Sequence, residues 1–214
     1  MTDYSRAPTN KIPSLQQLTG RIDDHVVVLN PAVSNAVRLH PDVTPSLTKL
    51  QEAAAASGFQ ITVASGFRDY ERQRHIWNAK ATGQRVINDQ SGEPLDTSGM
   101  SSDEVVMAIL HWSMLPGCSR HHWGTDMDVY DAAAVAEDYP VQLDVAECEG
   151  EGPFTALHEW LDDRIYRGES FGFFRPYVKG SSEVAVEPWH LSWAPLAAGC
   201  QSSLTEAKLL LPLT

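Results

Sequence analysis

The sequence predicts an α+β fold in which a small antiparallel sheet has helices packed mainly on one of its sides. Its 214 residues suit one domain with a sizeable core, and 43% of them are hydrophobic. Short segments with strand patterning lie between longer segments that have helical spacing and capping residues. No internal repeat and no linker divides the chain. These observations predict a single domain.

The chain is predicted to begin with an arm and a strand. Residues 1–24 are polar and interrupted by proline, which predicts an extended N-terminal arm, so the domain proper spans 25–214. The run His25–Leu29 is short, apolar and rich in β-branched valine. We therefore expect a strand there, ended by the Asn-Pro that follows it.

Two helices, a strand and a long loop are predicted next. Thr44–Ser57 opens with Thr-Pro, a favourable helix start. Phe59–Ala64 alternates apolar and polar residues, which indicates a strand. Asp69 can cap a helix over Tyr70–Ala81. The segment Gly83–Ser101 has little apolar pattern and is predicted to be a long loop, a feature that often serves as a lid or binding loop.

The second half of the chain combines helices, strands and an acidic irregular segment. We expect helices at 102–115, 154–166 and 203–213 and strands at 129–131 and 184–193. We expect a surface excursion at 131–152. The aromatic segment 171–177 forms either core or a pocket wall, and we favour core.

Charge and cysteine content exclude several classes of function. A net charge of −12 argues against a broad basic face for nucleic acid or anionic lipid. The same charge would repel a polyanionic polymer, which favours a small soluble substrate. The three cysteines have no C-x-x-C spacing, so neither a disulfide framework nor a cysteine-ligated zinc ribbon is predicted.

The chain is also predicted to have no membrane span, because no apolar run approaches the required length. Its N-terminus lacks the apolar core of a secretory signal. We therefore expect a cytoplasmic protein, the alternative being a periplasmic or exported protein whose leader has been removed. The oligomeric state is open.

Two separated motifs carry the side chains of a metal site. The first, Ser119–Asp128, offers four possible ligands around a central glycine: His121, His122, Asp126 and Asp128. The second, Glu187–His190, adds a histidine and a free glutamate. A catalytic zinc ion has three protein ligands and keeps its fourth position open to water, which a nearby glutamate can deprotonate. Together the motifs predict a zinc hydrolase.

The spacing within each motif bears on its local structure. His121 and Asp128 lie seven residues apart across Gly124, which suits two strand ends joined by a tight turn. Glu187 and His190 lie three residues apart; a proline between them argues against a helix, and a straight strand would point them to opposite faces. The second motif therefore requires a bend in the chain.

The motifs resemble those of the VanY-type D-alanyl-D-alanine carboxypeptidase family. Ser-x-His-x-x-Gly-x-x-x-Asp stands here as Ser119–Asp128, and Glu-x-Trp-His stands as Glu187–His190. A third family element, Ser-Gly-aromatic-Arg-x-x-x-x-Gln, stands as Ser65–Gln73. The three occur in the family's order and span residues 65–193, about 60% of the chain.

The resemblance implies a role for each matching residue. It implies that His121, Asp128 and His190 bind one zinc ion and that Glu187 is the catalytic base. It implies that Arg68 contacts the scissile carbonyl or the substrate carboxylate. Ser119 and Gln73 are implied to contact the terminal D-Ala, and Trp189 to form a pocket wall. Asp126 departs from the family pattern, which usually has a small apolar residue there. It could support a ligand histidine from behind.

The resemblance further implies a carboxypeptidase that removes a C-terminal D-Ala from peptidoglycan stem peptides or muropeptides. We favour an L,D-carboxypeptidase acting on recycled tetrapeptides, because a cytoplasmic enzyme would meet these salvaged peptides. A D,D-carboxypeptidase acting on pentapeptides comes second. A peptidoglycan endopeptidase and a non-catalytic zinc-binding module follow it, and the intact Glu187 and Arg68 argue against the non-catalytic module.

Overall fold

A four-stranded antiparallel sheet forms the centre of the protein in a computed structural model, which describes residues 11–29, 36–90, 92–180 and 184–210. The strands are numbered in chain order. In the sheet they lie side by side in the order β3 (Ile61–Ser65), β4 (Asp126–Asp131), β6 (His190–Trp193) and β5 (Phe173–Phe174). A separate two-stranded antiparallel sheet pairs β1 (Val27–Val28) with β2 (Arg38–Leu39). The predicted small antiparallel sheet is confirmed.

Helices connect and cover these strands. In the described residues they are α1 (Leu15–Leu18), α2 (Thr44–Ala55), α3 (Tyr70–Ala81), α4 (Ser102–Trp112), α5 (Val145–Cys148), α6 (Thr155–Tyr166) and α7 (Ala194–Leu210). Two turns of 3-10 helix cover Pro41–Val43 and Arg120–Trp123. No helix in the described part of the chain is both long and apolar enough to cross a membrane.

The two faces of the sheet differ in chemistry because side chains alternate along a strand. On the adjacent strands β4 and β6, the odd-numbered residues Met127, Leu191 and Trp193 are buried in the hydrophobic core. Four even-numbered residues of these strands are polar and buried and point to the opposite face; they are Asp126, Asp128, His190 and Ser192. One face of the sheet therefore builds the core, and the other builds the site.

The helices lie mainly on the apolar face, as predicted. Helices α2, α6 and α7 contribute leucines to the same core cluster as the strands, among them Leu50, Leu161 and Leu196. On the polar side, α3 packs against α4. This arrangement leaves the polar face of β4 and β6 open to a cleft beside α3.

The capping residues explain two of the helix starts. Asp69 Oδ1 accepts a hydrogen bond from the Arg72 backbone N–H at 2.7 Å, which confirms it as the N-cap of α3. Helix α4 begins with a capping box, in which Ser101 and Glu104 exchange hydrogen bonds between side chain and backbone. The start of α4 at Ser102 follows from this pair.

The prediction of an arm extended throughout residues 1–24 is wrong in its second half. Leu15–Leu18 form a helical turn, capped by reciprocal hydrogen bonds between Ser14 and Gln17. Leu18 is buried in the main core. The packing of Leu18 and a hydrogen bond from Tyr70 N to the carbonyl oxygen of Gly20 at 2.8 Å hold this segment against the domain. The polar residues around Leu18 give no sign of either contact in the sequence. Residues 1–10 lie outside the described residues.

Several predicted boundaries also differ from the structure. The strand predicted at 184–193 is confined to His190–Trp193, because the preceding residues form a turn. The last helix begins at Ala194 rather than residue 203, and the end of its predicted range, 211–213, lies outside the described residues. The segment 131–152 is not only a surface excursion, since it contains α5 and buries Cys148.

Candidate active site

Three buried side chains converge on the polar face of the sheet. His121, Asp128 and His190 each offer a ligand atom, and these atoms all lie within 4.8 Å of one another. His121 Nε2 is 3.4 Å from Asp128 Oδ2, and His190 Nδ1 is 3.2 Å from Asp128 Oδ1. The aspartate thus sits between the two imidazoles. Two nitrogen ligands and one carboxylate form a donor set that suits a catalytic metal ion with an open position.

Strand pairing places two of these residues side by side. Asp128 on β4 lies directly opposite His190 on β6, so the residues are cross-strand neighbours on the polar face. His121 comes from the 3-10 turn before β4, which corrects the prediction that it ends a strand. Gly124 ends that turn with φ of 72°, and a Cβ there would lie 2.6 Å from the Val26 side chain. Only glycine fits this turn without strain.

The backbone holds the ring of His121 through Nδ1, the nitrogen that does not face Asp128. His121 Nδ1 lies 2.8 Å from the carbonyl oxygen of Gly66, to which it donates when Nε2 faces the cluster. Burial, and after it the positive charge of Arg68, lowers the pKa of His121. A neutral imidazole with its free nitrogen aimed at Asp128 is the form that binds a metal.

The ring of His190 is also held through its second nitrogen, in this case by a carboxylate. Its Nε2 lies 3.0 Å from Asp126 Oδ1, which leaves Nδ1 facing Asp128. Asp126 is fully buried; burial would raise its pKa, but Arg120 and the hydrogen bond with His190 lower that pKa to about 2. Asp126 is therefore an ionised acceptor behind His190 and not a member of the triad that faces the cleft.

The neighbouring histidine of the motif is not available as a ligand. His122 Nδ1 lies 2.6 Å from the carbonyl oxygen of Arg68, and its Nε2 accepts a hydrogen bond from Gly117 N at 3.0 Å. Burial is the main cause that lowers the pKa of His122 to about 4. Both ring nitrogens of this neutral histidine are engaged with backbone groups, so its role is structural.

The electrostatics of the triad fit a bound cation. Burial opposes the ionisation of Asp128, but His121, His190 and Arg68 outweigh it and hold the pKa of Asp128 well below its usual range. Asp128 Oδ1 is buried and has no hydrogen-bond donor of good geometry within the described structure. A buried carboxylate oxygen without a donor is unfavourable, and a metal ion would satisfy it.

Glu187 lies beside the triad on a turn. Its Oε2 is 3.3 Å from His190 Nδ1, and its backbone oxygen accepts a hydrogen bond from His190 N at 3.1 Å. This turn brings together two residues that a straight strand would separate, so the bend predicted at Pro188 and Trp189 is present. Burial would lower the pKa of His190, but its contacts with Asp126, Asp128 and Glu187 raise it well above its usual value.

Arg68 reaches the triad from the loop between β3 and α3. Its Nη2 donates to Asp128 Oδ2 at 2.7 Å, and its Nε donates to Ser65 Oγ at 3.1 Å. From the sequence alone, an ion pair with Asp69 or Glu71 on the surface would be the ordinary interpretation of Arg68. The structure differs, because the side chain is only 24% exposed and lines the cleft. A guanidinium held in this position can interact with a developing negative charge in the cleft.

The cleft has a volume of about 510 Å³ and includes the remaining predicted site residues. Ser119 and Trp189 are buried in its wall, and Trp189 packs on Cys148 and Phe154. Gln73 Nε2 donates to the carbonyl oxygen of Met114 at 2.7 Å, whereas its Oε1 is buried and accepts no hydrogen bond in the described structure. The structure therefore brings all eight predicted site residues to one cleft.

Sequence reasoning missed several residues of the cleft wall. The ring of Tyr177 stands edge-on to the ring of His190, with 5.0 Å between the ring centroids. Residues 142–145, from the supposed surface excursion, form another part of the wall. Lys80 and Arg85 add positive charge. The only signal that pointed to any of these was the aromatic composition around Tyr177.

A buried His-Asp-His triad beside a glutamate, an arginine and an open cleft defines the site of a metal-dependent hydrolase. The chain belongs to the VanY family, described as D-alanyl-D-alanine carboxypeptidase, which it matches over residues 36–196. The match includes all three motifs.

Two proteins are similar in sequence to this chain, and one of them has the same description as the family. The D-alanyl-D-alanine carboxypeptidase of Enterococcus faecalis is 28% identical over 169 residues, which are 78% of this chain and 52% of that protein. An uncharacterized protein of Haemophilus influenzae is 38% identical over 100 residues, which are 47% of this chain and 68% of that protein. The chain thus spans about half the length of the Enterococcus relative.

Solved structures share the fold. VanYB in complex with D-alanine-D-alanine matches with a TM-score of 0.58 and 24% identity, covering 87% of this chain and 86% of that one. A mutant of the D,D-pentapeptidase VanY in complex with Zn(II) matches with a TM-score of 0.57 and 24% identity, covering 96% of both chains. The LD-carboxypeptidase LdcB matches with a TM-score of 0.55 and 19% identity, covering 86% and 74%.

Proposed function

We propose that this protein is a zinc carboxypeptidase that releases the C-terminal D-Ala of peptidoglycan stem peptides. The observation that carries the proposal is the buried triad of His121, Asp128 and His190 in the cleft, with Glu187 Oε2 at 3.3 Å from His190 Nδ1. Membership of the VanY family supports the reaction class. The D-alanine-D-alanine complex of VanYB and the Zn(II) complex of VanY support the substrate and the metal.

The triad would hold the zinc ion through His121 Nε2, His190 Nδ1 and the Asp128 carboxylate. When bound, zinc polarises a carbonyl and lowers the pKa of its water to about 7. The outer nitrogens of both histidines are already hydrogen bonded, to Gly66 and Asp126, so the rings are fixed in the orientation that binding needs.

Glu187 is proposed to act as the base. Its carboxylate takes the proton of the attacking water, whose oxygen forms a bond to the carbonyl carbon before D-Ala. Glu187 then gives that proton to the amine of D-Ala as the peptide C–N bond breaks. Arg68 lines the same cleft and stabilises the negative charge that develops on the carbonyl oxygen.

Ser119, Gln73 and Trp189 are proposed to bind the terminal residue. All three lie in the cleft wall, and the unpaired Gln73 Oε1 leaves an acceptor for a peptide N–H. The small terminal D-Ala can contact the face of Trp189, which is fixed by its packing on Cys148 and Phe154.

We further propose that tetrapeptides are the preferred substrates, so that the enzyme is an L,D-carboxypeptidase of peptidoglycan recycling in the cytoplasm. The net charge of −12 supports this, because it favours small soluble peptides over the polyanionic wall. The fold is compatible with either specificity, since VanYB and LdcB both share it. Cell fractionation with an antibody to the chain tests the compartment.

Mass spectrometry of purified protein with soluble muropeptides tests the function. Tetrapeptide and pentapeptide are offered in parallel, with a chelated sample and Glu187→Gln as inactive controls and the exposed Glu159→Gln as the matched control. Loss of one alanine from the tetrapeptide alone, absent in both inactive controls, supports the L,D assignment. Loss from the pentapeptide alone assigns the enzyme to the D,D class.

Two further outcomes would contradict the carboxypeptidase itself. Cleavage of cross-linked wall, with both peptides unchanged, would indicate an endopeptidase. Stoichiometric zinc binding with no hydrolysis of any of these substrates would indicate a non-catalytic zinc-binding module.

A further inference from the structure

One wall of the cleft is rich in positive charge although the protein as a whole is acidic. The chain has 16 lysines and arginines against 28 aspartates and glutamates. The cleft is lined by four of those basic residues: Arg68, Arg72, Lys80 and Arg85. Arg68 is already bound to Asp128. The other three lie on α3 or just after it, and the proposed reaction gives them no role.

Lys80 is the most enclosed of these three. Its Nζ donates to Ser113 Oγ at 2.8 Å, and its side chain is half-buried between α3 and the end of α4. It forms no ion pair within the described part of the chain. Burial, followed by the nearby positive charge of Arg85, lowers the pKa of Lys80 to about 8, against a weaker opposing effect of Glu187. A half-buried ammonium without a carboxylate partner is unfavourable.

An anion from the substrate would compensate this charge. Arg85 lines the same cleft and is exposed, and its positive charge acts on Lys80. A carboxylate bound near Lys80 would therefore be attracted by both side chains. Lys80 follows Gln73 by seven residues on α3, a rise of about 10 Å along the helix. The proposed function places the terminal D-Ala at Gln73 and Ser119. Lys80 is therefore placed to meet a different part of the peptide.

We propose that Lys80 and Arg85 form a subsite for a free carboxylate of the stem peptide that lies N-terminal to the scissile bond. This inference rests on the proposed function and deepens it, because it states which peptides the enzyme prefers. Two groups have this chemistry: the second carboxylate of a diaminopimelate at position three, and the α-carboxylate of the γ-linked D-glutamate before it. A lysine at position three lacks the first and adds a positive charge instead.

Kinetics on matched tetrapeptides tests the subsite with the zinc-loaded full chain. The peptides carry diaminopimelate, diaminopimelate amidated on its second carboxylate, or lysine at position three, each with free or amidated D-glutamate. The variants are Lys80→Met, Lys80→Arg and, as matched control, Lys49→Met on the exposed side of α2. Zinc content and the thermal midpoint are measured for each, which identifies a variant that is only misfolded.

The expected result is a selective loss. Lys80→Met raises KM about tenfold for the peptide that bears the recognised carboxylate and changes kcat less than about twofold, because a charge-assisted hydrogen bond is lost in binding. It has little effect on the peptide in which that carboxylate is amidated or absent. Lys80→Arg restores the preference because it keeps the charge, and Lys49→Met behaves as the wild type. Amidation at one position or the other identifies which carboxylate is bound.

Two results would overturn the inference. An equal loss on all peptides would place the terminal carboxylate, which all of them share, at Lys80. Unchanged kinetics in Lys80→Met would show that the residue binds no substrate group. Both results leave the carboxypeptidase assignment intact, since the wild type still releases alanine. If the wild type cleaves none of the peptides, the proposed function fails and the inference fails with it.

Discussion

Asp126 Oδ1 lies 3.0 Å from His190 Nε2, and both residues are buried on the same face of the sheet. The carboxylate is fixed from three further directions: Arg120 Nε at 2.7 Å, Thr125 Oγ1 at 2.7 Å and Ser192 Oγ at 3.1 Å. Both carboxylate oxygens of Asp126 are thus hydrogen bonded. This residue departs from the family pattern in the sequence, and the structure places it against the ring nitrogen of His190 that points away from Asp128. We propose that it orients the imidazole for metal binding.

We predict that Asp126→Asn weakens zinc binding about 10-fold to 100-fold, because a neutral amide supports the imidazole less well than an ionised carboxylate. Competition with a chromophoric chelator measures the affinity. The exposed Asp163→Asn is the control, since it removes the same charge from a surface ion pair on α6. Equal affinities in Asp126→Asn and wild type would contradict the orienting role.

Arg68→Lys is expected to lower kcat about 100-fold to 1,000-fold, within the range observed when a donor to a developing oxyanion is removed. Lysine keeps the charge but cannot reach both Asp128 and Ser65 in the fork geometry of the guanidinium. Steady-state kinetics on the best muropeptide measures the effect, with zinc content determined in parallel. Arg74→Lys, in an exposed ion pair with Glu71, should retain wild-type kcat.

Arg175 supports the turn that carries Glu187. Its guanidinium donates to the backbone oxygen of Pro188 and is buried, while its Nε donates to Asp162 at 2.6 Å. We predict that Arg175→Met lowers the free energy of unfolding by about 1–3 kcal/mol, because the Pro188 oxygen loses its donor. Chemical denaturation of the chelated protein measures this change, and kcat should fall with it.

Asp162→Asn gives the comparison for Arg175, since Asp162 is largely exposed and its ion pair should contribute less than about 1 kcal/mol. If the two variants lost the same stability, the hydrogen bond to Pro188 would not be the important contact.

His158 makes stability depend on pH. It is buried, and burial followed by the charge of Arg175 lowers its pKa to about 3 in the folded state. Between its ordinary value near 6.5 and about 3, the unfolded chain therefore binds a proton that the folded chain does not. This effect makes the folded state less stable as the pH falls through that range.

We predict that His158→Gln reduces the dependence of unfolding free energy on pH between about 6.5 and 4. Denaturation of the chelated protein at a series of pH values measures the slope, so that loss of zinc does not contribute. The exposed His75→Gln should retain the wild-type slope. Parallel slopes for wild type and His158→Gln would show that His158 is not responsible.

The predictable part of the fold and site was encoded in short-range patterns. The caps at Asp69 and Ser101 depend on residues three apart, and their helices begin where expected. The strand predicted at 129–131 is present but begins earlier, at Asp126. The alternation from Asp126 to Val129, which the prediction did not use, matches the polar and apolar faces of this strand. The motifs supplied the candidate ligands in the same manner, because their spacing is local.

The rest depended on contacts between distant segments. Lys80 and Ser113 are 33 residues apart, and nothing in either segment indicates that both face the cleft. The turn that carries Glu187 depends on Arg175, which contacts Pro188 and Asp162. These three residues lie in three different segments of the chain. The docking of Leu18 on the core is likewise a matter of tertiary packing. Such contacts become visible only when the chain is folded.

Asp126 and Asp128 occupy alternate positions of β4, and both contact His190 on the neighbouring strand. A slip of one residue in the pairing of these strands would turn both carboxylates toward the apolar core at once. A protein misfolded in this way would lack the triad, so we expect it to bind no metal. The metal content after refolding should therefore report the fraction of molecules with correct strand alignment.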